Sequence, residues 1–246
     1  MARIIAHRGS SKTHPENSRS AFRAAVKCGA DALEVDLRRS LDGEIYCCHD
    51  YHLGRLTGYS GYLRRTSSEK IEKLKLYREE PILTFEKFLI EFAGKAEMIL
   101  DIKSAGIEEK IVELIGRHGG GRDLIYSSFS SRILANIKTI APRAKTALIV
   151  GPVRNLRPRF DFSGHLVRTA RKLECSGLHL SRHLAREGIV KKLRLAGFRL
   201  AVWTVDDPTA AIQYKEMGIG GIITNVPEIL VEHFHGLRST SKVFQQ

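Results

Sequence analysis

Residues 29–50 read GADALEVDLRRSLDGEIYCCHD. Two strand-like runs lie in this stretch, near 32–38 and 44–49, and little more than Leu41-Asp42-Gly43 separates them. Parallel neighbours in a sheet need a crossover of about a dozen residues, whereas antiparallel ones can be joined by a tight turn. Asp-Gly is a strong hairpin signal. The second run therefore folds back antiparallel on the first. A turn centred near Asp42 and Gly43 places His49 roughly opposite Asp36, so the hairpin brings a histidine to a carboxylate.

On either side of this hairpin, short apolar runs alternate with helical stretches, the pattern of a parallel α/β fold. Further strands are expected near 3–7, 96–102, 123–128, 144–150, 176–180, 198–204 and 220–224. Helices are expected near 16–28, 84–94, 107–117, 130–140, 164–174, 182–196, 207–217 and 226–235. Nine strands are one too many for an eight-stranded barrel, and the hairpin strand is the odd one. Eight parallel strands remain, which predicts a (β/α)8 TIM barrel with an extra antiparallel hairpin strand. The length of 246 residues is close to the ~250 typical of that fold. Residues 1–236 form one domain in this reading, and 237–246, which lack periodicity, fray. An insertion at about 51–81 carries Gly54, Gly58, Gly61 and a helical-looking run from Ser67 to Tyr77. Insertions on a barrel's loop face commonly shape the substrate site.

Lys and Arg outnumber Asp and Glu, 40 to 27, a formal net charge of +13. Such a surplus favours acidic partners: phosphate esters, an anionic lipid surface or nucleic acid. No nucleic-acid motif appears, so a nucleic-acid partner is not expected. Cys28, Cys47, Cys48 and Cys175 form no paired CxxC pattern, which argues against a zinc site. Adjacent Cys47 and Cys48 on a strand point to opposite faces and do not suggest a bridge. With no signal-peptide core and no apolar run long enough to span a bilayer, a reduced, cytoplasmic setting is expected.

The chemistry gathers at strand ends. His7 and Arg8 end the first strand, Glu34 and Asp36 lie on the second, His49 and Asp50 end the hairpin, and Asp101 and Lys103 end the third barrel strand. Residues at i and i+2 share a strand face, so Glu34 and Asp36 point the same way, as do Asp101 and Lys103. Two inward carboxylates are costly without a partner. A hard divalent cation with oxygen ligands is an economical one; an interior arginine or lysine is the alternative.

These motifs resemble the glycerophosphodiester phosphodiesterase family. HRGSSKTHPENSRSAF looks like the family opening, and GADALEVDLRRSLDGEIYCCHD like its second motif. LTGYSGY, PILTFEKFL, LDIKS, SSFS, AVWTVDD and GIGGIITNVPEIL follow in the family's order, so the likeness runs from residue 3 to about 230. The resemblance implies metal-dependent hydrolysis of a small-molecule glycerophosphodiester to sn-glycerol 3-phosphate and an alcohol. It implies Glu34, Asp36 and Asp101 as ligands of one divalent cation, Mg²⁺ or Ca²⁺, with Mn²⁺ a third choice. His7 and His49 would be the catalytic acid–base pair, and Arg8 and Lys103 would hold the phosphodiester. Lys103 also reads as a structural partner of Asp101. Asp50 would orient His49 or support the metal site. Glu16 and Asn17 read as serving the local turn and helix start, although the family counts them near the site. Trp203 reads either as core packing or as a wall for the alcohol.

Three departures stand out. The family usually has glutamate in place of Asp101, asparagine in place of Asp206, and aspartate in place of Asn225. The other readings are a lysophospholipase D-type or other phosphodiesterase, and a weakly catalytic phosphate-ligand binding protein. A long apolar groove in the insertion would favour the lysolipid. The segment 143–172 is strongly basic: Arg143, Lys145, Arg154, Arg157, Arg159, Arg168, Arg171 and Lys172 meet only Asp161. The loop that follows strand 144–150 could draw an anionic substrate or lipid surface towards the site, or simply be solvated. The oligomeric state is left open.

Overall fold

The computed structural model describes residues 2–119, 124–152 and 161–234. From the N-terminus, β1 (Arg3–His7) leads through α1 (Arg19–Lys27) to β2 (Ala32–Arg39), and β3 (Ile45–Cys47) turns back on it. The insertion holds α2 (Gly54–Thr57), a 3₁₀ turn at Leu63–Arg65, α3 (Ser68–Glu72), β4 (Lys75–Leu76) and β5 (Glu80–Pro81). Helices and strands then alternate: α4 (Phe85–Phe92), β6 (Glu97–Ile102), α5 (Glu108–His118), β7 (Leu124–Ser128), α6 (Ser131–Ile140) and β8 (Lys145–Val150). The chain continues through α7 (Phe162–Lys172), β9 (Gly177–Ser181), α8 (Glu187–Leu195), β10 (Arg199–Trp203), α9 (Pro208–Glu216) and β11 (Gly221–Thr224). Residues 227–234 are again helical.

Eight strands pair in parallel in the order β1-β11-β10-β9-β8-β7-β6-β2, and a β1–β2 pairing closes the barrel. β3 lies outside, antiparallel to β2, with Leu37 opposite Cys47 and Arg38 opposite Tyr46. The turn between them closes where the Ser40 N–H donates to the Glu44 carbonyl at 2.9 Å. Gly43 takes φ +84° there, a left-handed conformation that a β-carbon disfavours. The loop is therefore centred on Asp42, half a residue earlier than expected. Cys48, whose N–H donates to the Asp36 carbonyl at 2.9 Å, stands opposite Asp36, and His49 lies one residue beyond.

Two large apolar clusters fill the space between barrel and helices. One includes Phe22 of α1 and Phe88 and Phe92 of α4, with the Phe22 and Phe88 ring centroids 4.8 Å apart, edge to face. Cys47 belongs to this cluster, whereas Cys48 turns the other way, into a separate core under the insertion. That second core buries Leu53, Leu56, Leu63, Ile71 and Leu76 against Tyr46 of the hairpin. The insertion thus consumes its large aliphatic side chains in its own packing, and they line no open apolar groove of the kind a lysolipid would need.

The run from Ser67 to Tyr77 is helical only through Glu72. Lys75 and Leu76 instead pair with Glu80 and Pro81, and Tyr77 and Arg78 turn between them at φ +48° and +66°. Ile71 and Leu76 are both buried. Five positions apart, they would stand roughly 140° apart on one continuous helix of 3.6 residues per turn. Burial of both favours the break. Among the described residues, no helix is long and apolar enough to cross a membrane.

Candidate active site

Strand register assembles the site. His7 stands beside Glu34, Asp36 beside Asp101, and Asp101 beside Ser127. Two residues earlier on these strands, Ile5, Ala32 and Ile99 pack inside the barrel. The period of two then carries His7, Glu34, Asp36, Asp101 and Lys103 to the C-terminal mouth, where this fold gathers its catalytic groups. After β1 the chain reverses at Arg8 (φ +57°) and Gly9 (φ +81°). A β-carbon on Gly9 would meet the backbone of Ala21 at 2.6 Å, so only glycine lets the turn lie against α1. The reversal points the Arg8 N–H at the Glu34 carboxylate, 3.0 Å away.

Glu34, Asp36 and Asp101 are buried, and each offers a carboxylate oxygen within 4.8 Å of the others. Burial, with Asp36 and Asp101 adding to it, raises Glu34 well above the usual carboxylate range. Asp101 is likewise raised by burial, to about 6, against the pull of Lys103. Burial acts the same way on Asp36, but Lys103 and Arg8 outweigh it and hold this carboxyl low. Lys103 Nζ reaches both Asp101 Oδ2 and, at 3.2 Å, Asp36 Oδ1; Arg8 Nε lies 3.0 Å from Asp36 Oδ2. Even so, Asp101 Oδ1 is buried without a hydrogen-bond donor, and Asp36 Oδ1 meets Lys103 only as an ion pair. Three converging carboxylates, one of them with an orphaned oxygen, fit a hard divalent cation in donor type and in charge.

Asn17 is not a helix starter. Ser18 caps α1, accepting from the Ala21 N–H at 3.1 Å. At φ +57°, Asn17 turns its amide onto Asp36, donating to Oδ2 at 2.9 Å and accepting from the Asp36 N–H at 3.1 Å. Glu16 also faces the site. It accepts from Arg8 Nη1 at 2.8 Å and from Arg55 Nη2 at 2.8 Å. Arg55 Nε in turn donates to Asp50 Oδ2 at 2.7 Å, and Asp50 Oδ1 lies 2.9 Å from His49 Nδ1. One chain of ion pairs therefore links Arg8 to His49. Glu16, His49 and Asp50 also lie close enough to suggest a second metal set, but Arg55 occupies the space between its carboxylates.

His7 Nδ1 lies 2.7 Å from Asn225 Oδ1. The Asn225 amide donates to Asp206 Oδ2 at 2.8 Å, which leaves its oxygen towards His7. An amide oxygen only accepts, so Nδ1 of His7 carries the proton and Nε2 offers a lone pair. Burial and then Arg8 lower His7 to about 4, so the ring is neutral at pH 7. Burial also lowers His49, with Asp36 and Asp50 opposing it. Both histidines, Glu34, Asp101 and Lys103 line one cavity of about 130 Å³ at the barrel mouth. A larger cavity of about 670 Å³, towards the insertion, meets it at His49, Lys103 and Phe129.

Residues 7–229 match the sequence model of the glycerophosphoryl diester phosphodiesterase family. The chain belongs to this family. A glycerophosphodiester phosphodiesterase of Caldanaerobacter subterraneus is 29% identical over 93% of this chain and 96% of its own. The same barrel recurs in a glycerophosphodiester phosphodiesterase of Agrobacterium tumefaciens, with TM-score 0.81 and 24% identity over 94% of this chain and 100% of that one. It recurs too in an Oleispira antarctica phosphodiesterase solved in complex with the product sn-glycerol-3-phosphate, with TM-score 0.84 and 24% identity over 96% and 97%.

Several residues at this candidate site of a glycerophosphodiester phosphodiesterase family member are not marked by the sequence. Phe129, within the SSFS motif, stands edge to face with Trp203, centroids 5.8 Å apart, and both line the small cavity. Trp203 Nε1 donates to the His179 carbonyl at 3.0 Å, so its indole is both packed and part of the wall. His179 shares that cavity; burial lowers it to about 4. Arg55 comes from the insertion, and only the tertiary fold reveals its partners. Of the basic segment, Arg154, Arg157 and Arg159 lie outside the described residues. Lys145 opens β8 at the end of the barrel opposite the site, and Arg168, Arg171 and Lys172 belong to α7.

Proposed function

We propose that the protein hydrolyses a small glycerophosphodiester to sn-glycerol 3-phosphate and an alcohol. The observation that carries this reading is the convergence of both histidines with Glu34 and Asp101 in one cavity, with the buried Asp36 carboxylate within 4.8 Å of those two. The glycerol 3-phosphate held by the Oleispira relative favours the same product. Glu34, Asp36 and Asp101 would hold one divalent cation, Mg²⁺, Ca²⁺ or Mn²⁺, which when bound supplies a Lewis acid for a phosphoryl oxygen. Arg8 and Lys103 flank that charge and counter the anionic phosphodiester. His7 Nε2, unprotonated, accepts the proton of the attacking hydroxyl, from water or from the neighbouring glycerol carbon. As its oxygen bonds to phosphorus, the bond to the alcohol breaks. His49, backed by the carboxylate of Asp50, delivers a proton to the departing oxygen. Overall one water is consumed. The four free thiols suit a reducing compartment such as the cytoplasm.

The test is release of glycerol 3-phosphate from glycerophosphocholine and glycerophosphoethanolamine with each cation added in turn. Binding of glycerol 3-phosphate without turnover of any diester would mark a phosphate-binding protein instead.

A further inference from the structure

Arg38 is the next residue after Glu34 and Asp36 on the same face of β2. It lies beyond the last barrel pairing of that strand, Leu37 with Ile102, and opposite Tyr46 of β3. The residue is only 5% exposed. Its Nε donates to the His49 carbonyl at 2.6 Å, and its guanidinium carbon stands 3.7 Å from the centre of the Tyr51 ring. Among the described residues its two terminal nitrogens have no hydrogen-bond partner, and no carboxylate pairs with it. Burying a cation this far without a counter-ion is costly. A carbonyl and an aromatic face offset that only in part.

The larger cavity gives the unpaired charge an address. Arg38 lines it with two other cations, Arg55 and Lys103. Those two are already paired, Arg55 with Glu16 and Asp50 and Lys103 with Asp36 and Asp101. Ser128 and Ser130, also on the wall, are committed as well: the first donates to the Ile102 carbonyl and the second caps α6. Arg38 is thus the wall cation without a carboxylate. The cavity joins the small one at His49, the group that faces the departing alcohol, so the leaving group extends into it. A guanidinium presents a planar fork that matches a carboxylate or a phosphate with two parallel hydrogen bonds.

We propose that Arg38 forms an anion subsite for the leaving group, and that the preferred substrates are glycerophosphodiesters whose alcohol carries its own carboxylate or phosphate. This rests on the phosphodiesterase reading above and adds to it the charge class of the alcohol. Tyr51 and the His49 carbonyl hold the guanidinium in place, so the fork is oriented before substrate arrives.

The experiment compares kcat/KM for four diesters of glycerol 3-phosphate, with glycerol, glycerol bearing a terminal phosphate, serine and choline as the leaving alcohols. The wild-type protein is expected to favour the terminally phosphorylated alcohol over plain glycerol by about tenfold or more, the scale of a hydrogen bond to a charged group. Arg38→Gln should collapse that ratio towards one, and Arg38→Lys should recover part of it. A serine preference that falls in parallel extends the subsite to carboxylates; a phosphate preference alone narrows it to phosphates. An equal ratio in wild type, or an unchanged ratio in Arg38→Gln with kcat lowered on every substrate, overturns the subsite and leaves Arg38 as a brace for the His49 carbonyl. Failure to hydrolyse any of the four diesters overturns the phosphodiesterase reading itself, and the subsite with it.

Discussion

Asn225 and Asp206 are joined by two hydrogen bonds at the barrel mouth: the Asn225 side-chain amide donates to Asp206 Oδ2 and its backbone N–H to Asp206 Oδ1, each at 2.8 Å. The family resemblance implies asparagine in place of Asp206 and aspartate in place of Asn225, an exchange of the two. Because the two side chains touch, the exchange preserves an amide–carboxylate pair. It alters what His7 meets, since a neutral amide oxygen now stands 2.7 Å from Nδ1.

Asn225→Asp would put a carboxylate against His7 and favour its charged form. The expected shift of His7 is upward from about 4, by roughly one to three units for an opposite charge in contact. A base works only when deprotonated, so the acid limb of kcat/KM against pH should move to higher pH. The single variant also sets two carboxylates face to face. Asp206→Asn with Asn225→Asp removes that clash, so the double variant should keep the shifted profile and melt at a higher temperature than the single. Identical pH profiles in wild type and both variants would detach Asn225 from His7.

The metal reading makes a proton-linked prediction. In the cation-free protein Asp101 is raised to about 6 and Glu34 lies well above its ordinary value, both chiefly by burial. Near pH 6 Asp101 is about half protonated, and a bound cation must displace that proton; the upward shift of Glu34 acts in the same direction. Adding Mg²⁺, Ca²⁺ or Mn²⁺ should therefore release protons, and affinity should fall as pH falls. Calorimetric titrations in two buffers of different ionisation enthalpy read the release directly. Binding enthalpies that agree between the buffers at pH 6 would count against these carboxyls as the ligands.

Much of this site was legible because its geometry follows from strand period and connection length. Leu41-Asp42-Gly43 is too short for a crossover, so the hairpin and the eight-stranded count could both be read. Glu34 and Asp36 share a face by alternation alone. The family pattern puts Asn17 near the site, but nothing in PENS reveals the left-handed φ that turns its amide back onto Asp36. Arg38 was passed over because its burial depends on β3 and Tyr51, which only the folded hairpin brings together. Arg55 stayed hidden for a similar reason: its partners Glu16 and Asp50 come from separate loops. The helical-looking run from Ser67 stops short of Tyr77 because a two-residue ladder and buried Leu76 outweigh local propensity.

Asp101 tests the shortened ligand. Asp101→Ala removes one of three converging carboxylates, so cation affinity and turnover should both fall. Asp36 remains to pair with Lys103 at 3.2 Å, so the cation-free melting temperature should change little. What should shrink is the rise in melting temperature on adding cation, because a ligand stabilises only as far as it binds the folded state. Asp101→Glu should keep that rise. A cation-induced rise in Asp101→Ala equal to that of wild type would remove Asp101 from the ligand set and leave it as a partner of Lys103.

The two histidines can be told apart by the leaving group. His49 borders the cavity that would receive the alcohol, and Asp50 Oδ1 lies 2.9 Å from its Nδ1. Asp50 itself is held near 2, where burial is outweighed by its bonds to Arg55 and His49, so it stays ionised through neutral pH. Asp50 holds the Nδ1–H, so Nε2 carries the second proton of the imidazolium form, which Asp36 and Asp50 favour against burial, and hands it to the departing oxygen. An alkoxide needs that proton, whereas a nitrophenolate leaves readily without it. His49→Ala should lower kcat by about 10²- to 10⁴-fold on glycerophosphocholine, the usual scale of acid–base catalysis. On the p-nitrophenyl ester of glycerol 3-phosphate the same variant should lose far less. His7→Ala should lose on both substrates, because the attacking hydroxyl must be deprotonated whichever group departs. Equal losses of His49→Ala on the two substrates would mean that His49 acts on something other than the leaving oxygen.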